Sequence, residues 1–314
     1  MAPAEDDISI EEKRVYAGAT GRTDAYLAAD VGVVRVAISG DKVGTYELVA
    51  RDSARDVAVL GRSDAPDLIA VATDRTLAVA PTADDPTFDP VGIGASVAVG
   101  VYDGGLLVAD ATDELHRVDV RARPEPDGSP ATDTTRIGSV DDPRRIDGPL
   151  IAAADGVHRV TRTVAGGMPT IETAGLANVH DVSGTGVPLA ATASGLYWLG
   201  NGWMPAAERP ATAVAADGNG HAMAVVDGTL RVHPGGAGVS GSPAGSVAET
   251  GWDADAWTET ALPVDERPVA LGYGPGLSAV VTAAGTVCVD AGDGWRHQVL
   301  GLGEVGGVAL AAAA

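Results

Sequence analysis

Ten residues have the types and spacing to build a charged site. Arg55 and Asp56, Arg144 and Arg145, His180 and Asp181, and Arg267 each stand just before a short run of small apolar residues, and Asp74, Asp155 and Asp227 close other apolar runs. If the chain brings them to one opening, they form a ring of mixed charge. Arginine grips carboxylates and phosphates through paired, charge-assisted hydrogen bonds. Such a ring would suit an anionic metabolite or a carboxylate-bearing peptide. The aspartates also have a purely local explanation. Asp30, Asp74, Asp110, Asp155, Ser194 and Asp227 end apolar runs, several directly before Gly, and Asp and Gly are what tight hairpin turns demand.

Other chemistry is poorly represented. His116 and His158 occupy matching places in LHRV and VHRV, and His233 holds a similar one. Repetition in register favours a structural role, most simply an outward polar position. No H-x-H, H-E-x-x-H or C-x-x-C spacing offers converging metal ligands. Asp253 and Asp255 in GWDADAW lack the further carboxylates and the glycine of a calcium loop, and read as an acidic loop before a strand. Neither a nucleophile elbow nor a phosphate loop is present, and Lys13 and Lys42 follow no Gly-rich turn. Cys288 is the only cysteine. It excludes an internal disulfide and, in TVCVDA, reads as a small buried hydrophobe. Trp203 and Trp295 follow Asn-Gly and Asp-Gly and read as rim packing. The residues therefore point to no catalytic group, metal or cofactor.

The elements that would position the ring repeat along the chain. Residues 67–80, DLIAVATDRTLAVA, read as two short strands around a turn at Asp74 and Arg75, and this hairpin is one of seven along the chain. With strands named a to d, each unit has a small-residue strand a, the b–c hairpin, and a strand d before the next unit. The a-strand anchors fall near Val57, Val97, Ile146, Val179, Val214, Val269 and Val308, about 42 residues apart, within the ~40–45-residue period of a four-stranded propeller blade. The b runs, such as IAVAT and AMAVV, are apolar throughout, as expected for strands covered on both faces. The c runs alternate. The expectation is an all-β, seven-bladed β-propeller of four-stranded antiparallel blades. The ring is closed by 307–312 joining the first unit, whose own three strands lie near 25–29, 33–38 and 45–49. The alternative makes 14–17 a first strand and raises the count to eight blades. One domain spans 1–314, with a flexible acidic start at 1–10 and Pro/Gly/Ser-rich loops at 121–134 and 234–251.

Charge separates classes of partner. The chain has 43 acidic and 21 basic residues, a net charge of −22, and only two lysines. This suits a protein kept soluble in molar salt, which screens the self-repulsion. No basic cluster is long enough for a nucleic-acid backbone, no apolar run approaches a membrane span, and MAPAEDDISIEEK has no apolar signal core. A cytoplasmic monomer is expected.

The segments GVVRVAISGDKVGTYELV (32–49) and GTVCVDAGDGWRHQVL (285–300) resemble blades of the WD-like and YVTN-like propeller superfamily. The signature dipeptides of those repeats are missing. The start ISIEEKRVYAGATG (8–21), with ARDVAVL (54–60), is similar to an uncharacterised haloarchaeal β-propeller family, a resemblance that covers nearly the whole chain. It implies a propeller from a halophilic archaeon and brings no activity or site residues. Function rests on the residues: a non-catalytic protein-interaction scaffold, its partner another protein at the channel mouth. The alternative is an enzyme or small-molecule binder, of hydrolase or lyase type, acting on an anionic ligand at the same mouth.

Overall fold

The computed structural model describes residues 21–121, 131–161, 169–235 and 251–313. Its strands form seven four-stranded antiparallel sheets. Blade 1 holds β1 (Arg22–Ala29), β2 (Gly32–Ser39) and β3 (Lys42–Ala50). Blade 2 holds β4 (Ala54–Leu60), β5 (Leu68–Thr73), β6 (Leu77–Pro81) and β7 (Asp89–Pro90). Blade 3 holds β8 (Ser96–Tyr102), β9 (Gly105–Asp110), β10 (Glu114–Val120) and β11 (Thr132–Ser139). Blade 4 holds β12 (Pro143–Asp147), β13 (Leu150–Ala153), β14 (Val157–Thr161) and β15 (Thr170–Gly175). Blade 5 holds β16 (Val179–Ser183), β17 (Leu189–Thr192), β18 (Leu196–Leu199) and β19 (Trp203–Ala207). Blade 6 holds β20 (Ala211–Ala216), β21 (His221–Val226), β22 (Thr229–Pro234) and β23 (Thr258–Glu259), and blade 7 holds β24 (Pro268–Gly274), β25 (Leu277–Thr282), β26 (Thr286–Asp290) and β27 (Arg296–Val299). The last strand, β28 (Gly307–Ala312), pairs with β1 from Thr23↔Ala312 to Ala28↔Gly307 and supplies the inner strand of blade 1. The ring thus closes between the two ends of the chain, as the spacing predicts. Segment 14–17, on which the eight-blade alternative rests, and the acidic start 1–10 lie outside the described residues.

The ring is held by its seams. Seven clusters of buried side chains occur, one between each pair of neighbouring blades. Strand β5 shows why its sequence is apolar throughout. Leu68, Ala70 and Ala72 face blade 3, while Ile69 and Val71 face blade 1. Fully burying one such Leu, Ile or Val contributes about 1.5–3 kcal/mol. Cys288 is buried in the seam between blades 6 and 7. Burial, with the Glu266 charge adding to it, pushes its thiol up to about 12, which leaves it inert.

Several local expectations change. Strand β11 begins at Thr132, inside the segment read as a 121–134 loop, and β22 runs through Pro234 at the start of the 234–251 segment; 122–130 and 236–250 lie outside the described residues. GWDADAW contains a 3-10 turn at Ala254–Ala256 before β23. His158 and His233 are buried rather than outward, because their ring nitrogens find partners inside. His116 and His158 bond the carboxylates of Asp110 and Asp155 in their own b–c turns, at 2.8 and 2.7 Å. His233 stacks on Trp252 at 4.0 Å and bonds the Gly220 carbonyl at 2.8 Å.

Candidate functional site

The inner strands share one irregularity. In β4, β8, β12, β16, β20 and β24 the pairing with the next strand slips by one residue at the second position. The extra residue of such a bulge leaves the ladder and re-aims its neighbours. Arg55, Val97, Arg144, His180, Thr212 and Val269 are the residues passed over. Pairing resumes at Asp56, Ala98, Arg145, Asp181, Ala213 and Ala270. Three charged side chains, from blades 2, 4 and 5, therefore stand at one level of the channel.

The two aspartates are held alike. Asp56 accepts the Val57 N–H and, from blade 3, the Val99 N–H, both at 3.0 Å. Asp181 accepts the Val182 N–H at 2.9 Å and, from blade 6, the Val214 N–H at 2.8 Å. Arg145 lies between them. Its Nη1 is 3.3 Å from Asp56 Oδ1, and its Nη2 donates to the Gly306 carbonyl, just before β28. Blade 4 is as far from blade 1 as two blades of a seven-membered ring can be, so this side chain crosses the channel. Gly307 makes room for Asp56: a Cβ there would stand 2.8 Å from Asp56 Oδ1.

Burial pushes Asp181 up to about 7, against the pull of Arg145 and the two N–H donors. Burial raises Asp56 too, again opposed by Arg145. One guanidinium serves two carboxylates, so the trio is one positive charge short of balance. Removing Arg145 would cost about 3–5 kcal/mol, because it strands both carboxylates.

Above this floor lies a cavity of about 1030 Å³. Its walls are the valines and small residues of the inner strands, among them Val57, Val59, Val99, Val101, Val214 and Val308. Its far end is formed by the a–b turns and one c–d turn: Asp147, Thr185, Asp217, Asn219, His221, Ser278 and Asp290. The cavity therefore opens on the a–b face and has its floor toward the d–a face. At the mouth, Asp147 accepts the Gly184 N–H at 2.7 Å, and Asp290 accepts the Gly292 and Gly294 N–H groups at 2.7 and 3.1 Å. Asp217 accepts the Asn219 and His221 N–H groups at 2.7 and 3.0 Å and pairs with the His221 ring at 2.8 Å. Burial alone would raise the Asp217 carboxyl, but these bonds outweigh it and hold it below its usual value, so it stays ionised at neutral pH.

Of the ten residues singled out in the sequence, the structure brings Asp56, Arg145 and Asp181 together. The other seven do not line the cavity. Arg55, Asp74 and Arg267 are exposed. Arg144 is engaged by Asp142 at 2.9 Å and Asn178 at 2.8 Å, and His180 meets the Ala211 carbonyl at 2.9 Å. Asp155 pairs with His158, and Asp227 with Arg209. The acidic mouth was missed. Its signal was Asp beside Gly at the a–b and c–d turns, in IDG, ADGNGH and DAGDG. Among the described residues one cluster has metal-ligating types: the ligand atoms of Asp110, Glu114 and His116 lie within 4.8 Å of one another. Their groups are already spent, since Asp110 bonds His116 and Thr112, and Glu114 pairs with Arg136 at 2.8 Å.

Seven blades, the inner-strand bulges and a central cavity define a β-propeller with one open channel end. The chain belongs to the HVO_0234-like beta-propeller family, which it matches over residues 9–311. No curated protein matches it in sequence. Among solved structures it is similar to AztD from Citrobacter koseri, at 11% identity over 94% of this chain and 99% of that one, with a TM-score of 0.57. The apo form of that protein gives 0.56 at the same identity and coverage. A protein from Lactobacillus plantarum gives 0.53 at 13% identity, over 93% and 99% of the two chains. At these identities the likeness is one of fold. Among the described residues no helix is long and apolar enough to cross a membrane.

Proposed function

We propose that the protein is a non-catalytic binding scaffold that receives a basic segment of a partner protein, carrying lysine or arginine, into its central cavity from the a–b face. The observation that carries this reading is the charge of the cavity. Five aspartates line it, Asp56, Asp147, Asp181, Asp217 and Asp290, against a single arginine, and that arginine is already bound by Asp56 and Gly306. An ammonium or guanidinium group entering between the mouth carboxylates completes the balance, and the apolar walls suit the methylene stem behind it. Among the described residues lining the cavity, an anionic ligand would meet only Arg145 and the His221 ring, each already paired with an aspartate. A non-catalytic role agrees with the inert Cys288 and with His116, His158, His180, His221 and His233, whose rings bond carboxylates and backbone groups, not hydroxyl or thiol nucleophiles, among the described residues. The acid-rich, lysine-poor composition fits the cytoplasm of a salt-in halophile, and a monomer provides the whole site.

The test uses a short lysine- and arginine-containing peptide, with binding measured by calorimetry in molar KCl. Asp217→Asn/Asp290→Asn should weaken binding at least about tenfold, the loss of two charge-assisted contacts. Asp84→Asn/Asp85→Asn, which removes the same charge from exposed positions, should not. Equal weakening in both variants would reduce the effect to general surface charge and refute the site.

A further inference from the structure

The ring of a propeller closes without a covalent bond, here where β28 joins β1. Its closing strand is reached from across the channel. Arg145, on blade 4, donates to the Gly306 carbonyl at the start of β28 while its other nitrogen engages Asp56 on blade 2. Gly306 is also tied outward, its N–H donating to the Ala28 carbonyl of β1 at 2.8 Å. We propose that Arg145 is a crossbar that latches the blade 1 closure from inside the channel, and that protonation of the aspartates around it sets how firmly the latch holds.

The groups facing the crossbar are few. From β4 comes Asp56; from β12, Arg145 itself and Asp147, whose charge bears on Asp56; from β16, Asp181. The remaining inner strands line the cavity near it with Val99, Val214, Ala270 and Gly307, none of them titratable. Arg55, Arg144 and His180 leave the channel at the bulges. The floor therefore carries one guanidinium for two carboxylates, Asp56 buried and Asp181 half-buried, and a proton neutralises the excess. In the closed ring Asp181, half-buried on the channel floor beside Arg145, holds its proton up to about pH 7. In an opened ring it is solvated and returns to an ordinary carboxylate value, about 3.9. The closed ring thus binds the proton more tightly. Linkage then makes closure firm at low pH and progressively weaker as pH rises toward 7, where Asp181 ionises.

This inference needs no ligand, so it stands or falls apart from the cavity's role in binding. The test is hydrogen–deuterium exchange of the full chain in molar KCl at pH 6 and 8.5, corrected for intrinsic exchange rates, read on peptides covering β28 and β1. In the wild-type protein, protection of β28 should fall about tenfold between the two pH values, while β13 and β14 hold theirs. Asp181→Asn should keep high protection at both pH values. Arg145→Ala should lose it at both. Should Arg145→Ala fail to fold, Asp181→Asn still decides. A pH-independent wild type, an Asp181→Asn variant with an unchanged pH response, or a folded Arg145→Ala protein with wild-type protection would overturn the latch.

Discussion

At the scale of residues, the site depends on which member of each charged pair turns inward. Arg55 and Asp56, Arg144 and Arg145, and His180 and Asp181 look alike on paper. The bulge in each inner strand separates them, sending the first outward and the second into the channel. A bulge is a matter of register between strands, so composition and period carry no trace of it. The legible hint was that the inward member directly precedes a β-branched residue, Val57, Ile146 or Val182. The crossing itself was not legible, since it joins residues 161 positions apart. Gly307 tests the fit. Its Cβ would stand 2.8 Å from Asp56 Oδ1, so Gly307→Ala should destabilise the fold by about 1–3 kcal/mol, the usual cost of overpacking. Urea unfolding in molar KCl reads this as a lowered midpoint, and an unchanged midpoint would show that the floor has slack.

At the scale of elements, the b strands were the most legible, because a strand covered on both faces has no polar side to interrupt its apolar run. The outer strands were the least. Strand β7 is only Asp89–Pro90, and β11 extends through residues that looked like a loop. These strands sit at the rim, where packing imposes little pattern. Closure by the last strand followed from counting units, since the first had three strands and the end supplied the fourth. Removing residues 307–314 takes the inner strand from blade 1 and bares the edge of β1, most of whose residues are fully buried. The truncated chain should lose its cooperative unfolding transition and associate through that edge, as seen by circular dichroism and size-exclusion chromatography. A truncated chain that stays monomeric and keeps the wild-type midpoint would contradict closure by β28.

At the scale of the whole molecule, the two faces of the ring differ. The d–a and b–c face carries most of the charged residues that stand out in the sequence, Arg144, Asp155 and Asp227 in local pairs and Arg55, Asp74 and Arg267 exposed, and beneath it the channel ends at Arg145. The a–b face carries the opening of the 1030 Å³ cavity and its carboxylates. The net charge of −22 cannot distinguish the faces; the distribution does. The direct measurement is a paired affinity capture in molar KCl, where surface repulsion is screened. Wild-type protein, Asp217→Asn/Asp290→Asn and Arg55→Ala/Arg267→Ala serve as parallel baits, and co-eluting proteins are quantified. The account predicts one stoichiometric partner, retained by the wild-type and arginine variants and lost from the mouth variant. A partner lost from the arginine variant but kept by the mouth variant would contradict it, and would place the binding surface on the opposite face.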